Sequence, residues 1–176
     1  MRPSLQDHPI FAETYIRKVR EEDPVITMTG SIGSLETQLG SIPEDASDMA
    51  YAPGKWTVRQ AFRHVIDTER IFAYRALCIA RGERQVLPSF DEGDYAREAN
   101  AALSGLEALK EEFLLVRRST VALFSAFPEE IMHRSGTAGG GNVTVNALAY
   151  MIIGHWRHHA EIFRERYGLA LPDDRI

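Results

Sequence analysis

The sequence has only one cysteine, Cys78, among its 176 residues. No disulfide can form within the chain, and this composition fits a reducing cytoplasm. The longest apolar run, residues 147–153, is far shorter than the roughly 20 residues that a membrane-spanning helix needs. No apolar segment typical of a signal peptide follows the N-terminus. These absences predict a cytoplasmic protein that does not cross a membrane.

Positive charge is also scarce, because 20 basic residues stand against 25 acidic ones and leave a net charge of −5. There is no long basic run, which weighs against nucleic acid or an anionic membrane as a partner. The hydrophobic fraction of 44% is ordinary for a globular protein. The length predicts one domain over residues 1–176, with residues 1–23 as an N-terminal extension.

Alternating strand patterns are absent, whereas four amphipathic segments have the periodicity of helices. Each begins at a residue that favours helix N-termini and ends near a glycine or a proline. Together they predict an all-α, left-handed four-helix bundle. Residues 135–143 contain four glycines but lack the Lys-Ser/Thr of a phosphate loop, so we expect a flexible linker there. The predicted N-caps are Asp23, Thr57, Ser104 and Thr144, and the predicted helices end near residues 40, 81, 127 and 167.

The last predicted helix contains two histidines, His155 and His159, that are four residues apart and therefore lie on one helix face. Buried imidazoles need partners, and a metal ion would satisfy both. The alternative is that both are core histidines that donate to carbonyl groups or water. His158 falls at the edge of this face, where we expect a solvated side chain. The same face carries the apolar residues Leu148, Met151, Ile152, Ile162 and Phe163.

A third ligand should come from another helix, because catalytic zinc-type sites use three protein ligands. His64 is the only histidine in another predicted helix, whereas His8 and His133 lie outside the helices. His64 lies about 10 Å into its helix, and His159 lies a similar distance before the end of the last one. The two meet only if these helices are antiparallel.

That arrangement makes the second and third helices parallel and requires a long crossover between them. Residues 82–103 form such a connection. A segment of this length reaches about 70 Å, whereas the helix that it must retrace is roughly 36 Å long. Loop length and histidine depth therefore predict the same topology.

Three motifs in order resemble the DinB/YfiT-like superfamily: residues 51–56 (YAPGKW), 64–75 (HVIDTERIFAYR) and 154–159 (GHWRHH). The resemblance implies a four-helix bundle with this crossover. It also implies a divalent metal, with zinc or nickel as the candidates, held by His64, His155 and His159.

The resemblance leaves two classes of function open. Some members of the superfamily are similar to transferases of low-molecular-weight thiols such as bacillithiol or mycothiol, and others are described as metal-dependent hydrolases. We therefore expect a metal-dependent thiol S-transferase or hydrolase with a small-molecule substrate. The alternative is a non-catalytic homodimer that senses stress or a ligand and whose metal is structural. A fourth protein ligand would favour the alternative, whereas an open position would favour catalysis.

The charged residues that follow His64 on the same helix could have a role at the site or could form ion pairs. Asp67 is a candidate to orient a ligand imidazole or to act as general base, and it is equally a candidate for an ion pair with Arg63 or Arg70. Glu69 is expected to be a solvated helix carboxylate or to form an ion pair beside Arg63 and Arg70. Arg75 lies far beyond the histidine level, so an ion pair or a contact in the dimer is expected.

Overall fold

The computed structural model describes residues 1–100 and 104–174. Its long helices form the predicted four-helix bundle, in which α2 and α3 together make the first helix, α4 the second, α6 the third and α8 the fourth. A short 3-10 turn, Ile10–Ala12, precedes α1 in the N-terminal segment. The helices are α1 Glu13–Ile16, α2 Pro24–Gly30, α3 Ile32–Gly40, α4 Val58–Ala80, α5 Glu92–Glu98, α6 Leu106–Ser125, α7 Glu129–Met132 and α8 Val145–Glu165.

The N-caps of α2, α4 and α8 are confirmed. The Asp23 carboxylate accepts hydrogen bonds from two amides of the first turn of α2. Thr57 and Gln60 form both hydrogen bonds of a capping box, at 3.3 and 2.8 Å. Thr144 accepts a hydrogen bond from the amide of Ala147 at 3.1 Å. The cap at Thr57 sets the starting point from which the depth of His64 in α4 is counted.

The predicted cap at Ser104 is wrong. The α6 helix begins one residue later, after Gly105, and that residue has no side chain to act as a cap. The carboxylate of Glu44 replaces it, accepting from the amides of Leu106 and Glu107 at 2.9 and 3.0 Å. A negative charge at a helix N-terminus is stabilising wherever in the sequence it comes from, and this distant partner left no local signal.

The predicted linker at residues 135–143 is also wrong, because the chain forms a β-hairpin there. Strand β1, Ser135–Ala138, pairs antiparallel with β2, Gly141–Thr144. The two residues between them, Gly139 and Gly140, have φ values of 60° and 84°. A two-residue hairpin turn of this kind needs positive φ at both positions, which is what glycine allows. The glycines therefore specify a turn.

The helices α4 and α8 run antiparallel, as predicted. At one end of the pair, the Tyr167 hydroxyl donates to the carbonyl of Trp56, just before α4, at 2.6 Å. At the other end, Arg134, which precedes α8, donates to the carbonyl of Ala80 at 2.8 Å. The start of each helix thus lies beside the end of the other.

The helices α4 and α6 are parallel, because their ion pairs advance together along both helices. Arg63 pairs with Glu112, and Glu69 pairs with Arg117 five residues further on. The crossover of residues 82–103 joins them and includes α5, while its residues 101–103 lie outside the described part. The predicted topology is confirmed.

The helix α8 lies at the centre of the bundle. All of its residues from Val145 to Trp156 are buried, so it packs against other elements around its whole circumference. It contributes to two apolar clusters, one on each side of the histidine level. In the described ranges, no helix combines the length and apolar character needed to cross a bilayer.

Close packing at Gly154 sets the distance between α8 and the N-terminal segment. A Cβ atom at this position would lie 2.0 Å from the carbonyl oxygen of Tyr15. Glycine inside a helix costs up to about 1 kcal/mol relative to alanine, so its presence here reflects this contact. The contact brings Tyr15 against the residue after Gly154, which is His155.

We expect Gly154→Ala to lower the free energy of unfolding by about 2 to 3 kcal/mol, because a backbone atom has to move to relieve the overlap. Urea unfolding monitored by circular dichroism measures this change. The matched control is Gly33→Ala in α3, where a Cβ atom meets nothing within 4 Å. That variant should be as stable as the parent or up to about 1 kcal/mol more stable. Equal stabilities for the two variants would contradict the packing argument.

Candidate metal centre

Three histidines converge between α4 and α8. His64 comes from α4, and His155 and His159 come from successive turns of α8. One ring nitrogen from each lies within 4.8 Å of the others, and the Nε2 atoms of His64 and His155 are 3.1 Å apart. All three side chains are buried, with exposures of 5%, 3% and 8%. The structure thus brings the predicted triad together.

Neighbouring side chains hold these rings in place. The Trp56 ring packs against His64 with the ring centres 4.9 Å apart. The Tyr15 ring meets His155 edge-on at 5.1 Å. The Thr68 hydroxyl, one turn after His64, lies 3.5 Å from Nδ1 of that ring. The imidazoles are therefore confined by the helices and by the N-terminal segment together.

Burial keeps the three imidazoles neutral. Burial, with a smaller contribution from the nearby His158, lowers the pKa of His64 to about 4. The pKa values of His155 and His159 are also held well below the usual range, first by burial and then by the neighbouring histidines. Histidine binds a metal in its neutral form, so these side chains are ready to bind near neutral pH.

Two of the histidines have the spacing of ligands to one divalent metal ion. Nitrogen ligands at the usual 2.0–2.1 Å from a tetrahedral ion lie about 3.3 Å from one another. The separation of 3.1 Å between Nε2 of His64 and Nε2 of His155 is close to that value. In residues 1–100 and 104–174, no cysteine or carboxylate joins the three histidines in the cluster. The arrangement therefore offers three neutral ligands, one fewer than the four protein ligands of a closed structural zinc site.

The metal-free protein should lose stability as the pH falls from about 7.5 to 5.5. The folded pKa values lie below the ~6.5 of unfolded histidine, so the unfolded chain takes up protons first. The contribution of the neutral histidines to the free energy of unfolding is fully present above about pH 6.5. It decreases as the pH falls towards their pKa values in the folded protein. Over this pH range, each of the three histidines should lower the free energy of unfolding by more than ~1 kcal/mol. Together they should lower it by roughly 4 kcal/mol.

Urea unfolding with a chelator present measures this loss at the two pH values. A variant with His64→Gln and His159→Gln should show a much smaller pH dependence. The exposed His133 provides the control, because His133→Gln should leave the dependence unchanged. If the parent protein is equally stable at both pH values, the three histidines are not held neutral by the fold.

The structure places the other predicted residues around this centre. Asp67 lies 3.8 Å from both Arg63 and Arg70, and burial raises the pKa of its carboxyl group. Its role as an orienting group or general base stays a prediction. Glu69 does form an ion pair, but the expectation of a solvated residue beside Arg63 and Arg70 is wrong, because Glu69 is buried and its partner is Arg117 on α6.

The remaining histidines stand apart from the triad. His158 is partly buried and packs against Tyr15 and His159 at ring distances of 5.6 and 5.4 Å. It therefore contacts one of the three residues without joining the cluster. His8 and His133, the weaker candidates, are not among the clustered residues.

A pocket of about 230 Å³ was not foreseen from the sequence, and two of its lining residues are neighbours of the histidine rings. Thr68 and Tyr15 line it and also contact the histidine rings. Arg75 lines it as well, where the sequence predicted an ion pair or a dimer contact. Tyr15 belongs to the N-terminal segment, which carries no motif that could have placed it here. The other lining residues are Phe11, Phe72, Ser89, Phe90, Glu92 and Gly139.

The protein belongs to a class of four-helix bundles in which the second and third helices are parallel. In this chain, three histidines on the second and fourth helices form a candidate metal centre. The family model of the DinB superfamily matches residues 31–163, and the chain belongs to that superfamily. No curated protein matches the sequence significantly.

The solved structures that share the fold include the following two. One is YfiT from Bacillus subtilis, described as a probable metal-dependent hydrolase with an unusual four-helix bundle topology. It has 15% identity and a TM-score of 0.71, over 97% of this chain and 95% of that one. The other is a mycothiol-dependent maleylpyruvate isomerase, with 14% identity and a TM-score of 0.68, over 89% of this chain and 64% of that one. At these identities the similarity establishes the fold alone.

Proposed function

We propose that this protein is a metal-dependent enzyme that transfers a thiol to a small molecule or hydrolyses a small molecule. The observation that carries the proposal is the convergence of three buried, neutral histidines within 4.8 Å, next to Thr68 and Tyr15, which line a pocket. Buried imidazoles that neighbour one another without a carboxylate are costly unless they bind something. A divalent cation is the ligand that matches their chemistry, and zinc and nickel are the proposed ions.

The roles of the residues follow from their geometry. His64, His155 and His159 would hold the cation through ring nitrogens without neutralising its charge. A cation of this kind lowers the pKa of a water or thiol placed next to it and stabilises negative charge that develops on a substrate. Thr68 and Trp56 fix the orientation of His64, and Tyr15 fixes that of His155.

The nucleophile must come from outside the protein. Cys78, the only cysteine, lies 14 residues beyond His64 on α4, which is about 21 Å along the helix axis. A water or an external thiol is therefore required. The pocket lined by Thr68 and Tyr15 provides a place for a small molecule beside the histidines. Similarity to a mycothiol-dependent isomerase supports a low-molecular-weight thiol as one substrate.

Two parts of the proposal concern proton transfer and assembly. Asp67 is the proposed base or orienting group, and its raised pKa would let it accept a proton nearer neutral pH than an ordinary carboxylate. Asp67→Asn should then lower turnover without reducing the metal content. A homodimer and a cytoplasmic location stay predictions.

The test is an activity screen of the metal-loaded protein. Mycothiol and bacillithiol are combined with a panel of electrophiles, and ester and amide substrates are assayed separately. We expect turnover that falls at least about 100-fold in the His155→Ala, His159→Ala double variant, because ligands matter more than the outer residues that orient them. The control is His158→Ala, which removes a histidine that contacts the centre without belonging to it.

Two results would count against the proposal. Turnover that is unchanged in the double variant would show that the histidines take no part in the reaction. If there is no turnover with any substrate and a protein carboxylate fills the fourth position of the loaded site, the alternative is favoured. That alternative is a non-catalytic dimer with a structural metal.

A further inference from the structure

The pocket beside the histidines contains a buried positive charge, Arg75. Its side chain extends from α4 and is 4% exposed, which is unusual for an arginine. The guanidinium donates one hydrogen bond, to the carbonyl of Pro88, at 2.7 Å. It also lies 5.9 and 5.8 Å from the ring centres of Phe72 and Phe90.

This charge has no ionic partner in the described part of the chain. Arg117 on α6 is also a buried arginine, but it forms an ion pair with Glu69 on α4. No carboxylate of residues 1–100 or 104–174 lies within ion-pair distance of Arg75. Burial lowers the pKa of Arg75, and no neighbouring acidic group among the described residues raises it. A guanidinium has five donors, and one carbonyl oxygen leaves most of them available for a ligand.

We propose that Arg75 binds the carboxylate of a small molecule whose reacting end lies at the three histidines. This inference rests on the proposed function for the reacting end, whereas the anion site rests on the pocket alone. Arginine recognises carboxylates through paired hydrogen bonds, and these are strongest where water is excluded. The rings of Phe11, Phe72 and Phe90 provide an apolar wall for the carbon chain between the two ends.

The spacing of the two sites defines the ligand further. His64 and Arg75 are eleven residues apart on α4, which is about 16 Å along the axis. Helical side chains lean towards the N-terminus, so the arginine covers part of this distance. A carboxylate attached directly to the reacting atom cannot reach both sites. The ligand therefore has several bonds between its reacting atom and its carboxylate.

A second charged residue of the pocket, Glu92, allows a test of whether the effect on carboxylate binding follows the sign of the charge that is removed. Its carboxylate lines the same pocket, and its charge adds to burial in raising the pKa of Tyr15. A negative charge at this position opposes the binding of an anion. Removing it with Glu92→Gln should strengthen carboxylate binding, whereas Arg75→Gln should weaken it.

The experiment measures dissociation constants for matched pairs of probes by calorimetry or NMR. Hexanoate is compared with hexanol, and 6-mercaptohexanoate with 6-mercaptohexanol. Each pair is measured with metal-free and zinc-loaded protein. We expect the parent to prefer the acid of each pair at least about tenfold, since hydrogen bonds to charged groups are the stronger ones.

In Arg75→Gln the preference should disappear, while the affinity for the neutral probes stays unchanged. The same result is expected for Arg75→Met, which guards against an effect of the glutamine itself. Arg81→Gln, which removes an exposed arginine from the end of the same helix, is the matched control and should keep the preference. A preference that persists in both Arg75 variants, or no preference in the parent, would overturn the inference.

The probes also show which substrate carries the carboxylate, and they test the anion site independently of the proposed function. If zinc strengthens the binding of 6-mercaptohexanoate far more than that of hexanoate, the carboxylate belongs to the thiol substrate. If hexanoate binds together with 6-mercaptohexanol, it belongs to the other substrate. Both results support the anion site. Arg75-dependent binding of hexanoate by a protein that takes up no metal would reject the proposed function and keep the anion site.

Discussion

The Glu69→Ala variant should lose about 3 to 5 kcal/mol of the free energy of unfolding, the largest loss that we expect from one side chain. Glu69 and Arg117 are both 2% exposed, and the arginine donates to both carboxylate oxygens at 2.9 and 2.8 Å. Truncating the acid leaves a buried guanidinium without its counterion. Urea unfolding at neutral pH measures the loss.

The control for this change is Glu36→Ala, which breaks the more exposed ion pair between Glu36 and Arg118. Exposed pairs contribute less than about 1 kcal/mol, so this variant should remain close to the parent. Replacing Glu69 and Arg117 together by methionine should recover most of the loss, since no charge is left unpaired. A loss in Glu69→Ala no larger than that in Glu36→Ala would contradict this account of the α4–α6 interface.

Loading with zinc or nickel should raise the free energy of unfolding by about 4 kcal/mol when the free metal is 1,000-fold above its dissociation constant. For a chain of this size, that corresponds to a rise in Tm of roughly 10 °C. The gain arises because the folded chain brings His64, His155 and His159 together, whereas the unfolded chain does not.

Thermal unfolding in a metal buffer, compared with the same protein in chelator, measures the gain. His155→Ala should lose most of it, and His158→Ala should keep it. The gains are compared within each variant, because replacing a buried histidine also changes the stability of the metal-free protein. An equal gain in all three proteins would mean that the stabilising metal binds elsewhere.

The topology and the triad were predictable from the sequence because they rest on strong local signals. Counting forward from the cap at Thr57 places His64 in α4, and counting back from the end of the last helix places His159 at the same level. The length of residues 82–103 then allows parallel α4 and α6. Each step uses the fixed rise of a helix, so small errors at helix ends did not matter.

Other features depend on residues that are distant in the sequence. Glu44 caps α6 from 62 residues away, and no local pattern shows this. Tyr15 reaches His155 because Gly154 allows close packing, which the sequence shows only as a glycine in a helix. For Arg75 the sequence predicted an ion pair or a dimer contact, since arginine is rarely buried without a partner. Its surroundings come from the crossover, whose path the sequence does not specify.

The hairpin was missed for a different reason. Four glycines were read as flexibility, although Gly139 and Gly140 are the two positions of a tight turn. The strands around them are only four residues long and contain few branched apolar side chains, so their periodicity is weak. Pairing with each other, and with Leu87 through a single bridge, holds them in place.

The most direct test of the account is the number of zinc or nickel ions bound per chain, measured by elemental analysis after equilibration with a metal buffer. We expect one ion per chain in the parent and in His158→Ala. His64→Ala should bind far less at the same free metal concentration, because one of three ligands is gone. Full occupancy in His64→Ala would contradict the assignment of the triad, and no binding in the parent would contradict the metal centre itself.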